Sequence, residues 1–224
     1  MTTVPKEALV FLDKLKKNNN REWFNAHKEE FKTLETQMKA FYLEVEKLMK
    51  KHDDISESKA YRIYRDIRFS KDKAPFKHHF AAYFGRRKPE LRGGYYLHIE
   101  PGGNSMIGAG FWNPVKDDVD RVRKEWETDA TEIRKILSDR NFIKIWGKME
   151  GEQLKSSPAG YSRENPNIDL INYKQWLFRH SFTDKEVLSP DFAKKVDSGY
   201  KTIRPFFDYM SEVLTTDLNG VSLI

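Results

Sequence analysis

The sequence predicts an α+β fold, a mainly antiparallel sheet covered by several long helices, and three observations carry that expectation. Residues Phe24, His27, Phe31, Leu34, Met38, Phe41, Val45 and Leu48 recur at alternating steps of three and four, which places them on one helix face. The same spacing returns in Val115, Val119, Val122, Trp126, Ala130, Ile133 and Leu137, and again in Phe192, Val196, Tyr200, Ile203, Phe207, Met210 and Leu214. Between Tyr61 and His98 the period falls to two, and Pro75, Gly85, Gly93 and Gly94 punctuate the segments. The connections there are short, which favours antiparallel pairing because parallel strands need long crossovers.

The first element, Lys6 to about Lys17, carries Leu9, Leu12 and Leu15 and stops at Asn18, Asn19 and Asn20. Asn20 is placed to cap the long helix that follows. Strands are predicted over Tyr61 to Phe69, His78 to Phe84, Tyr95 to Ile99 and Ser105 to Phe111; Gly108 and Gly110 in the last point to a bulge or a close backbone approach. Asn113-Pro114 reads as a cap and first helical residue, opening a helix that runs to about Asp139. Phe142 to Trp146 and Tyr173 to Phe178 look strand-like. The final helix starts at Ser189-Pro190, and Pro205 should kink it by removing one hydrogen bond and crowding the preceding turn.

A chain of 224 residues with no visible linker is expected to form one domain over 1–224. No apolar run approaches the roughly 20 residues of a membrane span, and the charged N-terminal stretch does not read as a secretory leader, so no membrane and a cytoplasmic location are expected. The absence of cysteine removes disulfides, thiolate nucleophiles and cysteine-ligated zinc.

The net charge of +6 is unevenly placed. Lys59 to Arg92 holds eleven Lys or Arg against Asp66, Asp72 and Glu90, a local balance of +8 that leaves −2 for the rest. Read as a strand, Tyr61 to Phe69 puts Arg62, Tyr64, Asp66 and Arg68 on one face as a cationic comb, and Lys71, Lys73 and Lys77 extend it beyond. Arginine forks suit phosphate and carboxylate oxygens, so Arg62, Arg68, Lys71, Lys73 and Lys77 are the anion-binding candidates. The competing reading is a solvated edge strand guarded by charge. Arg65 falls on the apolar face and is expected to be structural, paired with a helix carboxylate such as Glu29, Glu30 or Glu44.

Asp66 and His98 are the acid-base candidates, and His98 shares a strand face with Tyr96 and Glu100. No HExxH or similar spacing joins the six histidines, and His78 and His79 would point to opposite faces of a strand, so no metal and no cofactor are expected. The glycines of GGYYLHIEPGG lack a phosphate-cradling order, and there is no GxSxG elbow.

The runs FLDKLKKNNNREWFNAHKEEF, RIYRDIRFSKDKAPFKHH, GYYLHIEPGGNSMIGAGFWNP and LKSSPAGY resemble a conserved hypothetical family, the domain of unknown function numbered 2461, over most of the chain and in order. That resemblance implies a bacterial and fungal group of soluble α+β proteins of similar length, and it brings no activity. It singles out Arg62, Arg65, Asp66, Arg68, Ser70, Lys71, Asp72, Lys73, Pro75, Lys77, Tyr96, His98 and Trp112 as positions matching the family pattern. The functional expectation is binding of a small phosphate-bearing or otherwise anionic ligand on a cationic sheet face. A phosphoester hydrolase or transferase on such a ligand, and a nucleic-acid-binding or protein-interaction module, are the alternatives.

Overall fold

The computed structural model describes residues 2–224. Five strands form one antiparallel sheet in the order β1 (Ile55–Ala60), β2 (Phe80–Arg86), β3 (Gly94–Ile99), β4 (Ser105–Phe111) and β5 (Trp176–Phe182). The helices are α1 (Lys6–Lys17), α2 (Arg21–Ala26), α3 (Lys28–Met49), α4 (Lys116–Thr128), α5 (Thr131–Leu137), α6 (Arg140–Trp146), α7 (Ile168–Ile171), α8 (Asp184–Val187), α9 (Phe192–Thr202) and α10 (Arg204–Thr215). The α+β class stands. No helix among the described residues is long and apolar enough to cross a membrane.

The chain divides into two units, the first comprising Met1–Phe84, Tyr96–Ile107 and Ser181–Ser198. Its core is aromatic: Phe24 stacks on Phe76 at 4.0 Å, Phe31 on Phe80 at 5.9 Å and Phe41 on Phe192 at 5.7 Å. Asn20 caps α2 as expected, its Oδ1 accepting from the Trp23 amide at 2.9 Å. The predicted single helix from Arg21 to Leu48 is broken at His27, whose ring stacks on Trp23 at 4.0 Å while Nδ1 lies 2.8 Å from the Trp23 carbonyl. That local bond competes with helical continuation.

Tyr61 to Phe69 is not a strand. The segment is a loop joined to its return by one isolated antiparallel bridge, Tyr64 to Phe76, with the Arg65 amide on the Pro75 carbonyl at 2.9 Å. Its carboxylates explain why: Asp66 accepts from the Arg68 amide at 3.2 Å, and Asp72 from the Ala74 amide at 2.9 Å. Backbone donors that a ladder would use are diverted into local turns. The first strand is instead β1, exposed beyond Ile55 and carrying Glu57 and Lys59, which suit a sheet edge.

The second unit comprises Gly85–Tyr95, Gly108–His180 and Gly199–Ile224. Trp126, Trp176, Phe178, Phe206 and Phe207 form its core, and buried Trp126 donates through Nε1 to the Tyr209 hydroxyl at 3.1 Å. Gly110 has φ 138°, and a Cβ there would meet the Trp176 carbonyl oxygen at 2.1 Å, so β4 and β5 approach closely at that point. The predicted helix from Pro114 begins later, at Lys116, and α5 starts anew after Asp129, whose Oδ1 accepts from the Thr131 amide at 2.8 Å. Asn113, expected as a cap, sits at φ 47° outside the helix. Phe142 to Trp146, expected extended, is helical because Asp139 caps it, accepting from the Asn141 and Phe142 amides. Pro205 separates α9 from α10 and occupies the first turn of α10, where its missing amide costs nothing.

Arg86 lies in this unit with only 1% of its surface exposed. Its guanidinium donates to the Asp208 carboxylate at 2.7 Å, the Ser211 hydroxyl at 3.1 Å and the Arg92 carbonyl at 3.0 Å. Nothing in the spacing distinguished it from the solvated cations around it.

Candidate functional site

The five proposed anion ligands are carried by a loop, so no cationic sheet face exists there. Arg68 is 76% exposed and donates to both oxygens of Asp66, at 3.0 and 2.7 Å. Those bonds hold the Asp66 carboxyl below its usual range, so Asp66 is a weak base. Lys73 donates to the Ile67 carbonyl at 3.1 Å. Arg65 pairs with Asp72 at 2.5 Å, not with a helix carboxylate, and also donates to the Ala74 carbonyl at 3.1 Å and to Ser70 Oγ at 3.4 Å. Lys71 is exposed. Arg92, the last cation of the block, pairs with Asp118.

Arg62 and Lys77 stand apart from this internal pairing. Among the described residues, neither side chain forms a hydrogen bond or ion pair. Lys77 Nζ lies 5.3 Å from the centre of the Tyr61 ring, and Lys59 Nζ 6.0 Å from it. Partial burial, and then the nearby Arg62 charge, push the Lys77 ammonium below its ordinary value.

Tyr61 leads inward to a second group. Its ring packs edge-on to Tyr96 at 6.0 Å, and the Tyr96 hydroxyl is 3.2 Å from His98 Nδ1. His98 Nε2 is 2.9 Å from Glu100 Oε2. A carboxylate only accepts, so Nε2 carries the proton and Nδ1 accepts from Tyr96. The alternation of β3 accounts for Tyr96, His98 and Glu100 sharing a face, as the sequence suggested. His79 packs against His98 with centroids 4.1 Å apart and the rings tilted by 32°.

His78 completes the cluster, its Nδ1 3.1 Å from Glu100 Oε1. The distance suits an ion pair, but the angle is not that of a hydrogen bond, and Nδ1 is buried without a hydrogen-bond partner. Donor atoms of His78, His79 and Glu100 all lie within 4.8 Å of one another. The expectation that His78 and His79 diverge assumed a strand, whereas β2 begins at Phe80 and leaves both before it. Glu100 is itself fixed: its amide donates to buried Ser105 Oγ at 3.0 Å, which donates back to the Glu100 carbonyl at 2.9 Å.

Burial depresses the His79 pKa to about 3, with His98, Lys77 and His78 adding to the shift. Burial likewise lowers His98, against the opposing pull of Glu100. Tyr96 is pushed up to about 12 by burial, then by Tyr61 and Glu100. Burial therefore favours the neutral imidazoles of His79 and His98 and the neutral phenol of Tyr96. Asn19, read from sequence only as a helix stop, pins this region by bonding both the Phe76 carbonyl at 2.9 Å and the Phe76 amide at 3.1 Å.

The model of the family described as conserved hypothetical protein (DUF2461) matches residues 7–209. The chain belongs to the DUF2461 family. No curated protein and no solved structure matches it. In this DUF2461 chain eight of the residues singled out by sequence fall into two groups. Arg65, Asp66, Arg68, Asp72 and Lys73 tie the loop to itself, while Lys77, Tyr96 and His98 border the imidazole cluster. Surface depressions lined by Asp120, Arg121, Lys124, Glu125, Asp217 and Leu218 contain none of these residues.

Proposed function

We propose that the chain binds a small anionic ligand, phosphate- or carboxylate-bearing, at Lys77 and Arg62 over the ring of Tyr61. The observation that carries the reading is part-buried Lys77, its Nζ 5.3 Å from the Tyr61 ring and its ammonium depressed first by burial and then by Arg62, with no carboxylate bonded to either cation among the described residues. Like charges held together repel, and an anion between them relieves the repulsion while gaining charge-assisted hydrogen bonds. Arg68, Lys73 and Arg65 contribute less to this reading than the sequence suggested, because their donors are committed within the loop. The hydrolase alternative gains nothing from His98, both of whose nitrogens are engaged.

Thermal unfolding with EDTA present, replacing chloride by phosphate or sulfate at fixed ionic strength, tests the reading. A ligand of the native state at ten times its Kd adds about 1.4 kcal/mol, which raises Tm by about 3–6 °C in a chain of this size. Wild type and Arg68→Ala should be protected; Lys77→Ala and Arg62→Ala should not. Equal protection of all four, or of none, would refute the site. Binding to a long oligonucleotide that weakens about 10³-fold or more between 50 and 200 mM salt would instead favour the nucleic-acid reading.

A further inference from the structure

We propose that His78, His79 and Glu100 form a binding site for one divalent transition-metal ion, with His98 as the positioning residue for the carboxylate. Two imidazoles and one carboxylate are a sufficient protein ligand set for zinc or iron(II), and they leave coordination positions open for water or a ligand. The imidazoles disfavour magnesium and calcium, which take oxygen donors. This inference is independent of the anion site.

The geometry has three features that a merely structural polar network does not require. His78 Nδ1 is buried and faces Glu100 Oε1 at 3.1 Å without making a hydrogen bond, so two potential ligand atoms converge on one space with no bond between them. The three donors lie within 4.8 Å of each other; donors on a tetrahedral zinc with bonds of about 2.0–2.1 Å are about 3.3 Å apart, so side-chain adjustment of roughly 1 Å closes the site. The supporting layer is already built. His98 Nε2 donates to Glu100 Oε2 at 2.9 Å and is held in turn by Tyr96, while Ser105 fixes the Glu100 backbone. Outer hydrogen bonds of this kind orient ligating groups and hold their lone pairs towards the ion. Lys16 Nζ, 3.9 Å from Glu100 Oε1, is exposed enough to swing aside.

The test uses the whole chain, stripped with EDTA and dialysed, then titrated with zinc(II) by calorimetry and with cobalt(II) by visible absorption. Wild type should bind one ion per chain, and cobalt should develop the ligand-field bands of an imidazole-coordinated site. His79→Gln and Glu100→Gln should abolish both signals while melting like wild type in EDTA. His98→Gln should retain the stoichiometry but lose about 10–100-fold in affinity, as for outer-layer partners elsewhere. His27→Gln, remote in sequence and stacked on Trp23, should bind as wild type. No stoichiometric zinc in wild type, or zinc binding undiminished in both His79→Gln and Glu100→Gln, overturns the proposal. Should either variant fail to fold, the wild-type stoichiometry and cobalt spectrum decide by themselves.

Discussion

Replacing Gly110 by alanine tests the close approach of β4 and β5. The backbone there has φ 138°, a conformation that costs an L-residue about 1–3 kcal/mol. The new Cβ would lie 2.1 Å from the Trp176 carbonyl oxygen and 3.0 Å from the Leu177 Cα, both backbone atoms that no side-chain rotation can move away. Relief requires the strands to part beside Trp176, which is fully buried, and such overpacking adds about 1–3 kcal/mol. The sum is about 2–6 kcal/mol, a large part of the roughly 5–15 kcal/mol that holds a domain folded. At about 2–4 °C per kcal/mol for a chain of this length, Tm should fall by about 4 °C at the least and by more than 20 °C at the most. Thermal unfolding followed by near-ultraviolet circular dichroism reports it, since Trp126 and Trp176 pack edge-on at 5.7 Å and their environment changes with the strand. A Tm within 1 °C of wild type would refute the argument that the glycine is there to admit a carbonyl.

Two further outcomes follow from the loop and the imidazole cluster. Arg65→Ala removes three donated bonds from a side chain only 26% exposed and should lower stability by about 1–3 kcal/mol; its partner Asp72 is 66% exposed and stays hydrated, so the larger loss of a broken buried pair is not expected. Arg68→Ala, by contrast, should leave stability close to that of wild type because that side chain is 76% exposed. Denaturant titration of both variants checks the contrast, and equal losses would contradict it. His79 supplies a pH signature: its folded pKa of about 3 lies below the ordinary 6.5, so between those values the unfolded chain takes up a proton that the native chain does not. Stability should therefore decline as pH falls from about 6.5 towards about 3, and His79→Gln should flatten that decline relative to wild type. Parallel pH profiles for the two would show that His79 does not titrate across this window.

The sequence alone determined the class, the composition of the core and the face-sharing of Tyr96, His98 and Glu100, because these rest on local periodicity and steric alternation. Asn20 was legible for the same reason, its cap bond spanning three residues. Where a side chain could bond its own backbone, periodicity misled. Asp66 and Asp72 turned an apparent strand into a loop, Asp139 turned an extended reading into α6, and His27 divided a continuous apolar stripe. The fate of charges was decided only by tertiary structure. Arg86 and Arg62 are indistinguishable as letters, yet one is buried against Asp208, more than a hundred residues on, and the other is exposed. The convergence of His78, His79 and Glu100 belongs to the same class: β2 starts two residues too late to splay the two histidines, and the β2–β3 pairing brings the end of one strand beside the start of the other. A long-range meeting of side chains depends on register and on where strands begin, and neither quantity is local to the residues that meet.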